Sequence, residues 1–485
     1  MNREFAGNAV LIVTINVLVK SFYLFGIDRT VQNSLPEGDY GLYFTLFNFA
    51  FLFQIISDFG LQNFNARQLS QSRHLLSKYF PYLLSLKLGL GVLFVGFTIV
   101  AGYLWGFRDS AVWWMLLGIC VNQFLQTFVL FLRSNLAGLG LYRLDSWMSV
   151  VDKTLLIIIA GAMLWAPAWQ ADFTIVRFIL AHTAAYALTI LVLLYLLWPR
   201  LGYLQWRWKP VQLWSFLRQS APYALVVFLM TAYTRLDAIM IEKLLPNGVM
   251  EADRYASAFR LLDAANIGGF LLAGLLLPMF ARLLKTEESV KPLTQLAIST
   301  VWSGALTLAV SVWFFATPIM IGLYTDGNAY SGRILQWLML TFIPMSGGYV
   351  YGTLLTANAN LRPMNWIFAI GIVVNVILNL VLIPERGAEG AAIATLLTQS
   401  FTFLAQVLLA QRLLQLNFLP VLLVRFMLFI GLLAGLTWLM QNHWDSVGWA
   451  VKFVLAISIG AVLAFALGLL DVKRWLEWLG IRQEE

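Results

Sequence analysis

The sequence is short of what a soluble enzyme of its size uses. Only 12% of its 485 residues are charged, about half the share of an ordinary globular chain. The apolar surplus must therefore face lipid rather than a water-shielded core. A single cysteine, Cys120, excludes an intramolecular disulfide and a cysteine metal cluster. Three histidines, His74, His182 and His443, stand far apart, and no HExxH-type spacing occurs. The absence of a Walker motif argues against direct ATP use, and no cofactor is expected. No connection between apolar runs is long enough to fold as a soluble catalytic domain.

What is present is hydrophobic. Apolar residues make up 60% of the chain, and the mean hydropathy is +0.78. Nineteen tryptophans and seventeen tyrosines suit a protein with two headgroup boundaries. A bilayer core of ~30 Å takes ~20 apolar helical residues. The runs 6–27, 39–60, 79–103, 111–132, 146–166, 173–198, 219–243, 255–281, 293–317, 333–357, 364–384, 388–411, 419–440 and 449–471 therefore predict about fourteen transmembrane helices in an all-α polytopic membrane protein. The start, Met1-Asn2-Arg3-Glu4-Phe5, leads into an apolar run without a small-residue cleavage site, which reads as an uncleaved first span.

The net charge of +8 is scattered through short loops rather than gathered in a patch, so no nucleic-acid partner is expected. Alternate loops differ instead. One set holds Arg3, Arg67, Arg73, Lys78, Arg133, Arg143, Arg200, Arg207, Lys209, Arg218, Arg282, Lys285, Lys291, Arg362, Arg412, Arg425, Lys473, Arg474 and Arg482. The other holds little beyond Arg29, Arg108, Lys243, Arg254, Arg333 and Arg386. The positive-inside rule then puts both termini in the cytoplasm.

One constant offset superposes Lys20 on Arg235, Tyr40 on Tyr255 and Ala66-Arg67 on Ala281-Arg282. A nearly equal one superposes Arg143 on Arg362 and Trp147 on Trp366. Such duplications are common in transporters. They predict two parallel six-helix lobes around a central cavity: 1–205 with spans one to six, and 206–415 with spans seven to twelve. Residues 416–485 add two helices and a cytoplasmic tail.

Three segments carry a family resemblance. Asn379-Leu-Val-Leu-Ile-Pro384-Glu-Arg-Gly387-Ala-Glu-Gly390-Ala-Ala-Ile-Ala-Thr395 combines a helix-ending proline, two glycines for a tight return and a small-residue run for close packing. The second is Tyr233-Thr-Arg235-Leu-Asp237-Ala-Ile-Met240 with Tyr255-Ala-Ser-Ala-Phe-Arg260-Leu-Leu-Asp263. The third is Tyr23-Leu-Phe-Gly-Ile-Asp28-Arg29-Thr with Asp39-Tyr40-Gly41-Leu-Tyr43. Together they resemble the polysaccharide transporters of the multidrug/oligosaccharidyl-lipid/polysaccharide flippase superfamily, over nearly the whole chain. The resemblance implies a multi-pass protein of the bacterial inner membrane. It implies export of undecaprenyl-pyrophosphate-linked oligosaccharide for cell-surface polysaccharide such as O-antigen. It also implies a monomer whose partners are the lipid-linked oligosaccharide, membrane lipid and a polysaccharide polymerase or ligase.

Charge inside lipid is costly and is expected to face protein or a wet cavity. Arg235 and Arg260 fall at similar depth on the seventh and eighth spans, and Lys20 takes the matching repeat position. Guanidinium forks and an ammonium suit a pyrophosphate, so these three are the candidate substrate-binding residues. Asp237, Asp263, Asp28 and Arg29 are candidates for a gate or ion coupling. The competing reading of each is a charge pair that only locks helices together. Lys87, Lys153 and Arg177 are expected to snorkel to the headgroups. The aromatic run Tyr40, Tyr43, Phe44, Phe47, Phe49, Phe51 and Phe53 is expected to pack against lipid, with sugar stacking as the alternative. Pro222, Pro278, Pro344 and Gly347-Gly348 are positions where helices can bend. A multidrug or cation antiporter and a peptidoglycan-precursor (lipid II) flippase remain alternatives. The short loops disfavour a membrane polymerase or glycosyltransferase.

Overall fold

A computed structural model describes residues 15–71, 76–201, 210–358, 361–416 and 420–478. The basic residues Arg3, Arg73, Arg207, Lys209 and Arg482, on which part of the orientation rests, lie outside them. The fold is all-α. Twelve of the described helices are long and apolar enough to cross a membrane. The seventh expected span falls in a further long helix outside those twelve, and the first begins within residues not described.

The chain forms two compact units. The first comprises the described residues up to Lys243, with Asn247–Asp253. It starts with helix α1 (described over 15–22), which passes through a π-helical turn at Tyr23–Asp28 into α2 (Arg29–Ser34). Then follow α3 (Asp39–Asp58), α4 (Leu61–Gln71), α5 (Leu76–Trp105), α6 (Ser110–Gly138), α7 (Tyr142–Trp165), the short α8 (Pro167–Gln170), α9 (Ile175–Leu201) and α10 (Pro210–Leu244). Helix α3 packs on α5 and α6, and α9 packs on α6 and α7. The core of this unit is aliphatic and aromatic, centred on Phe80, Phe131, Leu132 and Leu193. Its opposite faces carry large exposed apolar side chains such as Val92, Leu104 and Tyr195, a pattern that only lipid makes favourable.

The second unit holds Leu244–Pro246 and the residues from Arg254 onward. It contains most of α11 (Gly248–Lys285), then α12 (Lys291–Leu323), α13 (Ala329–Ala357), α14 (Leu361–Arg386), α15 (Ala388–Leu414), α16 (Pro420–His443), α17 (Trp449–Ala466) and α18 (Val472–Trp478). Helix α13 packs against α12 and α15, and α14 against α15. The last two long helices, α16 and α17, pack on α12 through Phe426, Phe429, Leu433 and Leu306. Pro278 and Pro344 lie inside α11 and α13.

Three local features differ from the sequence reading. The segment after α3, expected as an inner loop, forms α4; Phe59 and Gly60 both take left-handed backbone and turn the chain between the two helices. Pro384 does not end its helix. Helix α14 runs on to Arg386, and the Gly387 amide bonds the Ile383 carbonyl at 2.8 Å, because proline removes one upstream bond but its own φ is helical. The Tyr23–Asp28 motif is π-helical. That insertion, frequent at functional sites, has no periodicity signature short enough to read from sequence.

Candidate functional site

In the first unit a polar seam runs along α1, α7 and α9. Asn16 donates to Ser149 Oγ (2.9 Å), and Arg133 Nε pairs with Asp145 (2.8 Å). Lys153 meets Asp152 at 3.7 Å, donates to the Tyr186 hydroxyl at 3.4 Å, and sits 4.9 Å from the Tyr23 ring centroid. Tyr23 in turn reaches His182 Nε2 at 3.4 Å. His182 Nδ1 lies 3.1 Å from the Phe178 carbonyl; a carbonyl only accepts, so Nδ1 carries a proton, and in the neutral ring Nε2 accepts from Tyr23. Asp28, buried at the end of the π turn, accepts from the Tyr40 hydroxyl with both carboxylate oxygens at 3.1 Å. Lys20 is half-buried in the field of Asp152, with Arg133 and Lys153 also nearby.

Lys153 thus does not snorkel. It pairs with its neighbour Asp152, the partner that the sequence offers, and is enclosed by two tyrosines that its position near a span end did not reveal. Lys87 does not snorkel either: its side chain is 0% exposed and its Nζ reaches Asp58 Oδ1 at 3.0 Å and the Ser57 carbonyl at 2.9 Å. Arg177 keeps the expected surface position, pairing with Asp172 at 3.4 Å while both remain exposed.

Arg235 belongs to the first unit. It is half-buried, nine residues before the end of α10 (about 14 Å along the axis). One guanidinium nitrogen lies 3.3 Å from Asn48 Oδ1, and the carbon stands 4.8 Å from the Phe51 centroid. Asp237, two residues on, is buried. Arg29 is half-buried beside Asp28 in sequence, and its Nε has no hydrogen bond among the described residues.

Arg260 and Asp263 belong to the second unit. Arg260 is 4% exposed, and Nη1 donates to the Tyr324 hydroxyl at 3.1 Å from the C-terminal end of α12. Asp263 lies one turn further along α11 and is half-buried. A second charged group in this unit joins Glu389 to Arg333 Nε (3.0 Å) and to the Trp337 indole (3.1 Å). Sequence reasoning singled out Lys20, Asp28 and Lys153 of the first unit's seam and quoted Tyr23 and Tyr40 only within motifs; it missed Asp145, Tyr186 and the role of His182. A lone histidine or tyrosine in an apolar helix gives no sign of which face it occupies. Among the described residues no His, Cys, Asp or Glu group could hold a metal ion.

Twelve long apolar helices among the described residues define a multi-pass membrane protein. Residues 8–284 match the model of the family described as polysaccharide biosynthesis protein, and the chain belongs to that family. Comparison with curated proteins finds no match. Among solved structures, the lipid II flippase MurJ in an inward closed conformation is similar over 98% of this chain and 100% of its own, with a TM-score of 0.70 at 15% identity. An inward-facing multidrug resistance transporter of the MATE family and MOP superfamily covers 81% of this chain and 94% of its own (TM-score 0.67, 15% identity). A MOP superfamily transporter from Pyrococcus furiosus, for which a reversed polarity of the binding pocket is described, covers 84% and 95% (TM-score 0.62, 16% identity). At these identities the likeness is one of fold.

Proposed function

We propose that the protein is a flippase that carries a polyprenyl-pyrophosphate-linked saccharide from the inner to the outer leaflet of the cytoplasmic membrane, for surface polysaccharide synthesis. The observation that carries this reading is Arg235: a half-buried guanidinium about 14 Å from the end of the long helix α10, resting on an amide and an aromatic ring. Holding such a group inside a bilayer is costly. An anionic headgroup, gripped bidentately, is the cargo that would repay it. Lys20 and Arg260 are further cations of the same reading, and the family's link to polysaccharide synthesis supports the cargo class.

Transport proceeds by alternating access, with both termini cytoplasmic and Asp237, Asp263, Asp28 and Arg29 as the groups that gate the path or couple it to an ion. Lipid II is a second reading. It is favoured by a likeness that spans both chains end to end, whereas the multidrug transporter leaves a larger part of this chain unmatched. Both lipids share the polyprenyl pyrophosphate and differ in the sugar.

A deletion strain is expected to accumulate lipid-linked oligosaccharide on the cytoplasmic face and to lose surface polysaccharide. Arg235→Ala should fail to complement although it inserts normally. Normal export by that variant contradicts the phosphate role. Arrest of peptidoglycan synthesis with surface polysaccharide intact transfers the cargo to lipid II.

A further inference from the structure

Helix α3 carries two aromatic stripes, and only one has the surroundings of a lipid face. Phe49 is buried against Trp105 and Phe107 (centroids 6.1 and 5.3 Å), and Phe53 meets Phe97 at 5.2 Å. Phe97 is exposed among Val92, Leu93 and Leu104, a surface of apolar side chains alone. The second stripe, Tyr43, Phe47 and Phe51, repeats every four residues, with successive centroids 6.2 and 5.9 Å apart and ring planes inclined by 38° and 36°. Residues two apart on a helix point about 200° apart, so Phe47 and Phe51 face away from the Phe49–Phe53 stripe. Their faces are neither sealed nor bare: both rings are half-buried.

What adjoins the Phe51 end of the second stripe is polar. The Arg235 guanidinium stands over Phe51 and reaches Asn48. At the other end Tyr43 is buried against Phe178 of α9 and against Tyr40, whose hydroxyl is committed to Asp28. A half-buried guanidinium in a membrane protein faces protein, water or a ligand rather than acyl chains, since lipid exposure near the bilayer centre would cost ~2.5 kcal/mol or more. The rings beside it share that surface. Flat aromatic faces next to a phosphate-binding cation match a sugar phosphate: the C–H face of a pyranose packs on an aromatic ring while the linking phosphate meets the guanidinium.

We propose that Phe47 and Phe51 form the saccharide subsite of the transport path, stacking the sugar proximal to the pyrophosphate while Arg235 holds a phosphate oxygen. This rests on the reading of the cargo as a lipid-linked saccharide. Stacking tolerates many sugars, so the subsite recognises saccharide as a class.

The test compares two probes on the purified full-length protein in nanodiscs: undecaprenyl pyrophosphate, and undecaprenyl pyrophosphate bearing one N-acetylhexosamine. Phe47→Leu keeps an apolar side chain and leaves in place Phe51 and Asn48, on which Arg235 rests. It should weaken binding of the sugar-bearing probe about five- to tenfold, the worth of one aromatic face, and leave the sugar-free probe unchanged. Phe47→Tyr should restore binding. Arg235→Ala should weaken both probes. Equal loss of both probes in Phe47→Leu and Phe51→Leu, or no loss in either, overturns the subsite. If Arg235→Ala leaves both probes unaffected while Phe47→Leu still separates them, the phosphate role fails and the saccharide subsite stands.

Discussion

Lys87 gives the most quantitative test of how the first unit is built. Its ammonium is fully enclosed between α5 and the end of α3, bonded to Asp58 at 3.0 Å and to the Ser57 carbonyl at 2.9 Å. Replacing it by methionine keeps the volume but strands a carboxylate. Breaking a fully buried pair costs ~3–5 kcal/mol. Asp58 is 20% exposed and can be partly rehydrated, so the expected cost is at the low end, ~3 kcal/mol. Removing both charges, as Lys87→Met with Asp58→Leu, should recover most of that loss, because an apolar pair of similar size has nothing to desolvate. The assay is thermal or denaturant unfolding in detergent, with both singles and the double variant completing a cycle. A coupling of at least ~1 kcal/mol is expected. If Lys87→Met unfolds at the wild-type midpoint, or the double variant is no better than the single, Lys87 is hydrated after all and its enclosed geometry is wrong.

Other expectations are simpler. Gly387 has φ +64 and ψ −141 at the start of α15, a region close to glycine-only, and a Cβ on Gly390 would stand 2.1 Å from the Leu382 carbonyl oxygen; Gly387→Ala and Gly390→Ala should each destabilise by ~1–3 kcal/mol or more, read as a lowered melting temperature, and a wild-type midpoint for either contradicts the tight α14–α15 junction. Tyr40→Phe removes the hydroxyl that donates to Asp28 and should cost ~1–2 kcal/mol; unchanged stability means that Asp28 does not depend on it. Arg333→Ala should shift stability by less than ~1 kcal/mol, since its side chain is 52% exposed; a large loss would show that the Glu389–Trp337 group is a structural keystone.

Much of this architecture is legible in the sequence because lipid imposes a simple rule: a span is a long apolar helix, and charge inside it is an exception worth noticing. The runs around 111–132 and 388–411 became α6 and α15 with extra turns at their ends, since polar residues such as Asn135 extend a helix once its bonds are met inside the protein. The twist at Tyr23–Asp28 and the partners of buried charges were not legible. Lys87 and Lys153 have the spacing of snorkelling residues, and only three-dimensional packing supplies Asp58 to one and Tyr23 and Tyr186 to the other. The α3 aromatics gave the same ambiguity. Seven aromatic side chains in a span read as a lipid face, and their division into two stripes becomes visible once Phe97 covers one and Arg235 the other.

The central claim is that a guanidinium inside the membrane carries an anionic lipid headgroup across it. Proteoliposomes loaded with sugar-bearing undecaprenyl pyrophosphate, with its appearance in the far leaflet read by a membrane-impermeant lectin or oxidant, measure that directly. Wild-type protein should translocate the lipid, and Arg235→Ala should slow it at least about tenfold, the loss of one charge-assisted hydrogen bond to phosphate. Translocation by Arg235→Ala at the wild-type rate, or wild-type protein that exports a cationic dye and leaves the lipid in place, would contradict the account.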